Sequence, residues 1–143
     1  MTHPLQHTRE RLKNGEVFIG IFCKTTAPEF IEVIGHAGFD FCILDMEHGP
    51  ANLETLQNLI RAAEVSGVLP IVRTRDMCPE SIAQPLDLGA AGVQVPQVAS
   101  RAEAEAVVDA AVGQDLGLDG FPVRRIASQI PVVVVGAVPG PEG

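Results

Sequence analysis

Tryptophan and tyrosine are absent from the 143-residue chain, and phenylalanine occurs only six times. A core built with so few rings must rely on Ala, Val, Ile and Leu, which suits helices packed over a parallel sheet. Cysteine is scarce as well: Cys23, Cys42 and Cys78 stand apart, with no CxxC pair among them. That spacing gives neither a disulfide framework nor a zinc site, so buried free thiols are expected. Missing too is any apolar run approaching the roughly 20 residues that a membrane helix requires. The opening "MTHPLQHTRERLKNGE" is polar and unlike a secretory leader, so a soluble, cytoplasmic protein is expected. Basic residues number 10 against 18 acidic ones, for a formal charge of −8. Such a balance argues against nucleic acid or an anionic membrane as partner. It leaves room for a small anionic ligand, because one arginine can hold a carboxylate.

What is present is apolar sequence, 46% of the chain. That is enough for one domain with a real core, and the length argues against two. "VFIGIF" (17–22) reads as a strand. "TAPEFIEVIGHAGF" follows with a capping box from Thr26 to Glu29, an early Pro28 and a stop at Gly38. Phe30, Ile31, Ile34 and Ala37 would share one face of that helix. "FDFCILD" is a second strand, and Asn52 caps a helix whose stripe is Leu53, Leu56, Ile60 and Ala63, closed by Gly67. "VLPIVRT" (68–74) and "GVQVP" (92–96) are further strands, separated by a helix weakened by Pro85. Ser100 and Glu103 form another capping box before "AEAEAVVDAA". Strand–helix alternation of this kind means an α/β fold with a parallel sheet. After Ala111 the pattern dissolves, with one strand-like run in "IPVVVVGAVPGPEG". We therefore expect a single domain over 1–143, its regular part at 15–111 and a divergent tail at 112–143.

Ligands in parallel α/β folds collect at the carboxyl ends of the strands. Asp45, Glu47 and His48 follow the second strand, Arg73 ends the third, and Gln94, Pro96 and Gln97 end or follow the fourth. Each has a plain structural alternative: Asp45 as a cap, His48 bonded to a carbonyl, Arg73 in an ion pair. Together on one rim they suit chemistry. A histidine beside carboxylates can serve as general base, and an arginine can hold a carboxylate and stabilise an enolate oxygen. The combination fits proton abstraction or carbon–carbon cleavage next to a carbonyl. Arg75 and Asp76 read as a solvated turn pair, and His3, His7 and His36 as surface residues.

The stretches "AGFDFCILDMEHGP", "PIVRTR", "LDLGAAGVQVP" and "SRAEAEAVVDAA" resemble, in order and spacing, the metal-dependent (class II) pyruvate aldolases. That group includes 4-hydroxy-2-oxoheptanedioate and 2-dehydro-3-deoxyglucarate aldolases. The resemblance implies a (β/α)8 TIM-type barrel, here with only about its first four βα units. It also implies cleavage of 4-hydroxy-2-oxo acids to pyruvate and an aldehyde. His48 would then be the base and Arg73 the stabiliser of the enolate. Asp87 would raise the basicity of the histidine, and Asp45 and Glu47 would belong to the same cluster. Asp87 ends a helix and should lie on the far rim, so it would serve a neighbouring subunit of a homo-oligomer. The resemblance implies a divalent metal, Mg²⁺ or Mn²⁺, but the segments that carry its ligands in the family have no counterpart here. Two readings follow: a carbon–carbon lyase, or a truncated chain that is inactive or needs another chain to complete the barrel.

Overall fold

A computed structural model describes residues 4–112 and 132–135 of the chain. The element order is α1 (Pro4–Lys13), β1 (Gly20–Cys23), α2 (Pro28–His36), β2 (Phe41–Asp45), α3 (Leu53–Ser66), β3 (Leu69–Arg73), α4 (Pro79–Asp87), β4 (Gly92–Val95), α5 (Arg101–Val112) and β5 (Val132–Val135). The five strands form one sheet in the order β1-β2-β3-β4-β5, every neighbouring pair parallel. Sequential parallel order with a helix in each crossover is the arc of a (β/α)8 barrel. The described residues hold four βα units and a fifth strand of it.

The two faces of the sheet differ. Cys23, Cys42, Leu44, Val72, Val93 and Val95 point to the helices and share one buried cluster with Ile31, Ile34, Leu56, Ile60, Ile82 and Leu86. Alternate residues point to the inner side of the arc. Gly20, Phe41 and Leu69 are in register there, as are Phe22, Ile43 and Ile71, and then Asp45, Arg73 and Gln94. Gly20 has a packing reason to lack a side chain, because a Cβ there would enter the ring of Phe41. Apolar residues thus fill the lower rows, and the top row is polar.

Most helix ends follow the expected chemistry. Asn52 Oδ1 accepts from Thr55 N at 2.9 Å, and Gly67 takes the left-handed conformation with φ 78°. At α5, Glu103 N donates to Ser100 Oγ at 3.2 Å, while Ser100 N donates to Glu103 Oε2 at 2.9 Å. The Thr26–Glu29 box does not form. Ala27 stands at the N-cap with no side-chain bond, and Thr25 Oγ1 instead accepts from Ala27 N. Pro28 at the first turn removes one of the donors that a cap would satisfy, so the helix starts without it. The apolar stripes are also narrower than expected: Phe30 and Leu53 are 47% and 42% exposed. α1 was not foreseen. It is held by Arg11, which pairs with Glu16 at 2.7 Å and Asp40 at 3.1 Å and lies over the ring of Phe18.

Cys23 and Cys42 are buried thiols, as expected, whereas Cys78 is exposed at the start of α4. The neighbouring Cys23 thiol and burial both push the Cys42 thiol up, so it stays protonated. No helix among the described residues is long and apolar enough to cross a membrane. The expected tail, 112–143, falls largely outside the described residues. Only Val112 and β5 are described in it, and β5 lies where the apolar run reads as a strand.

Candidate active site

The top row of the inner face begins at Asp45, the last residue of β2, which is 3% exposed. Burial alone would favour its neutral form, and four donors reverse that. Oδ1 accepts from Arg73 Nε at 2.9 Å, Glu47 N at 3.0 Å and His48 N at 3.1 Å. Oδ2 accepts from Arg73 Nη2 at 2.6 Å. Desolvation pushes the carboxyl up; the Arg73 guanidinium and the two backbone donors outweigh it and hold the group below its ordinary value. Asp45 in turn raises the pKa of Arg73. The turn that leaves β2 is therefore pinned to a carboxylate, which sets where Glu47 and His48 emerge. Gly49 completes it, because a Cβ there would meet the carbonyl oxygen of Asp45.

Arg73 ends β3 opposite Asp45 in the ladder. Its side edge, Nε and Nη2, is occupied by Asp45, and Nη1 lies 3.4 Å from Glu47 Oε2. The planar group sits over the Phe22 ring, 5.0 Å from its centroid. Asp45 takes that edge of the guanidinium, so a ligand would meet Arg73 through its remaining N–H groups.

Glu47 joins the arginine to the histidine. Its Oε2 lies 3.7 Å from His48 Nε2, an electrostatic contact longer than a hydrogen bond. The imidazole is open, with 60% of its side chain exposed. A row from Asp45 through Arg73 and Glu47 to His48 results, buried at one end and accessible at the other.

Gln94, next to Arg73 in the register, completes the top row. Gln97 follows it with φ 61°, a left-handed conformation uncommon for a residue with a side chain. Asp87 is elsewhere. It is exposed at the C-terminal end of α4, which precedes β4 and so lies at the opposite rim from the strand ends. The five candidates therefore do not form one cluster within a protomer; four do. Arg75 is not a simple turn residue either. Its Nη2 donates to Ala51 O at 3.0 Å, while Asp76 accepts from Cys78 N. Phe22, beneath the guanidinium, escaped the sequence reading. The one available signal was its strand position, two residues on from Gly20 along the inner face.

The described residues contain no group of three His, Cys, Asp or Glu side chains able to hold a metal ion. The two carboxylates of the site face Arg73. This donor set does not fit a divalent ion.

Comparison with known proteins agrees with the fold and the motifs. The sequence profile of the HpcH/HpaI aldolase/citrate lyase family matches residues 19–134. A 2-dehydro-3,6-dideoxy-6-sulfogluconate aldolase of Pseudomonas putida is 33% identical over 118 residues, which is 82% of this chain and 46% of the relative. A hydroxypyruvate/pyruvate aldolase of Pseudomonas aeruginosa is 34% identical, covering 84% of this chain and 45% of the relative. The crystal structure of the citrate synthase SbnG superposes with TM-score 0.78 at 37% identity, over 89% of this chain and 54% of that one. An HpcH/HpaI aldolase structure from Desulfitobacterium hafniense shares the fold, with TM-score 0.74 at 21% identity, over 89% of this chain and 55% of that one. The chain spans about half the length of the relatives it matches. With the profile running from the first strand to the last, the chain belongs to the HpcH/HpaI aldolase/citrate lyase family.

Proposed function

We propose that this chain carries the proton-transfer and enolate-binding part of an aldolase that cleaves 4-hydroxy-2-oxo acids to pyruvate and an aldehyde. One observation carries the reading: Arg73, fixed by Asp45, and the accessible His48 both approach Glu47 Oε2 on the carboxyl rim, at 3.4 and 3.7 Å. His48 takes the proton of the C4 hydroxyl, and the C3–C4 bond breaks. The electron pair passes to the 2-oxo group, giving the enolate of pyruvate as the aldehyde leaves. The N–H groups of Arg73 that Asp45 leaves open hold the enolate oxygen or the carboxylate, and a proton returned to C3 yields pyruvate. Run backwards, the same steps are a condensation. Aldolases and a citrate synthase among the similar proteins are consistent with that.

Asp87, at the rim opposite His48, would reach a site only in a neighbouring protomer, which fits a homo-oligomer. A soluble, cytoplasmic enzyme acting on a small 2-oxo acid is the setting we assign. A second reading is favoured by the half-length match and the unsuitable metal donors: a chain that is inactive alone or acts only when another chain completes the barrel. Incubating the purified chain with a 4-hydroxy-2-oxo acid and Mg²⁺ or Mn²⁺ separates them. Pyruvate release by this chain alone supports the enzyme. Absence of release under every metal condition would leave the second reading standing.

A further inference from the structure

Behind the polar row, on the helix side of the sheet, lies a cavity of about 460 Å³. The buried Met46 and Thr74 line it. Each directly follows a residue of the row, Asp45 or Arg73, and by strand alternation points the opposite way. The rest of the lining comes from Arg75, the start of α3 and one side of α4, and the volume suits a small molecule. Two opposite charges line it, Arg75 and Glu54, and among the described residues neither is in an ion pair. Arg75 is held by its bond to Ala51 O, while the adjacent Asp76 is engaged by Ser81 and by Cys78 N. Neutral polar groups complete the lining: Gln84, and Asn52, whose Oδ1 accepts from Thr55 N and whose Nδ2 is left to donate.

We infer that this cavity is a second small-molecule site, separate from the rim, and that it takes a zwitterion: an α-amino acid with a polar side chain. Arg75 holds the carboxylate with the guanidinium donors that Ala51 leaves open, and Glu54 accepts from the ammonium. A lining with both signs and no internal pair favours a ligand that carries both. A simple anion meets the repulsion of Glu54, and a simple cation that of Arg75. Gln84 and Asn52 pair with an amide or hydroxyl on the ligand's side chain. Pyruvate has no ammonium, and Arg73 lies on the other face of the sheet, so the two sites are filled independently.

Calorimetric titration of the full chain with L-glutamine, glutaramate and L-glutaminamide tests this. Glutaramate lacks the ammonium and glutaminamide the carboxylate. The wild type is expected to bind glutamine at least about tenfold more tightly than either, because each has lost one charge-assisted bond. In Arg75→Gln the preference over glutaminamide should fall to near one, and in Glu54→Gln the preference over glutaramate should do so. Saturating pyruvate should leave glutamine binding unchanged. A wild type that does not bind glutamine, or preferences that survive both substitutions, would overturn the inference. Competition by pyruvate would overturn it too, by moving the amino acid to the rim. Should Arg75→Gln fail to fold, Glu54→Gln, at an exposed position in the first turn of α3, decides alone. The aldolase reading stands or falls separately, on pyruvate release.

Discussion

Arg73 lays its Nε–Nη2 edge across both oxygens of Asp45, at 2.9 and 2.6 Å, from adjacent strand ends 28 residues apart in sequence. This pair is the mechanical root of the site. Asp45 fixes the arginine from one side and, through Glu47 N and His48 N, the loop that carries His48 from the other. Its loss should be felt in folding as well as in any chemistry at the rim. Asp45→Ala leaves a largely shielded guanidinium and two backbone donors uncompensated. We expect a destabilisation of about 3 kcal/mol, at the low end for breaking a buried pair because Arg73 keeps some contact with water. Urea unfolding measures it; a change below about 0.5 kcal/mol would mean the pair does not organise the rim.

The same pair gives a pH dependence with a defined sign. The folded-state pKa of Asp45 lies below its ordinary 3.8. Its contribution to stability is therefore present above about pH 4 and is lost as the pH falls through the lower, folded value. In Asp45→Asn this part of the acid sensitivity should vanish, so that the stability difference between wild type and variant narrows from pH 7 toward pH 2. A constant difference over that range would place the acid sensitivity elsewhere.

Leu44 and His48 should divide folding from function. Leu44 is 1% exposed under the helices, and Leu44→Ala should cost roughly 2–5 kcal/mol through the cavity it leaves. His48 is exposed and contributes only its backbone to the turn, so His48→Ala should change stability by less than about 0.5 kcal/mol. Thermal melts of the two variants check this. The reverse order would make the loop structural.

Gly20→Val probes the inner face. The branched side chain would have to enter the space of the Phe41 ring, so an overpacking cost of about 1–3 kcal/mol is expected from chemical unfolding. A neutral result would mean that Phe41 is free to move aside.

Local signals made much of this structure legible. β-branched runs bounded by turn residues announced the strands, and Asn52, Gly67 and the Ser100–Glu103 box marked helix ends that the structure retains. α1 was not legible because its residues are almost wholly polar; Arg11 stabilises it through partners at Glu16 and Asp40. The Thr26 box failed because the helix starts at Pro28 with Ala27 as its N-cap, which puts Thr26 one residue too early. The motif residues of the rim could be read as a set, but not their connections. Which edge of Arg73 faces Asp45, and that Gln94 stands beside them with an unpaired oxygen, depend on strand register. Phe22 was hidden for the same reason.

In the proposed reaction, His48 and Arg73 act on one pyruvate enolate. Proton NMR of pyruvate in deuterium oxide, with the purified chain present, tests it without the aldehyde half of any substrate. Exchange of the methyl protons is expected with the wild type, and a loss of about 100-fold or more in a folded His48→Ala variant, the usual worth of a positioned base. Exchange that survives in His48→Ala, or that the wild type fails to catalyse at all, would contradict it.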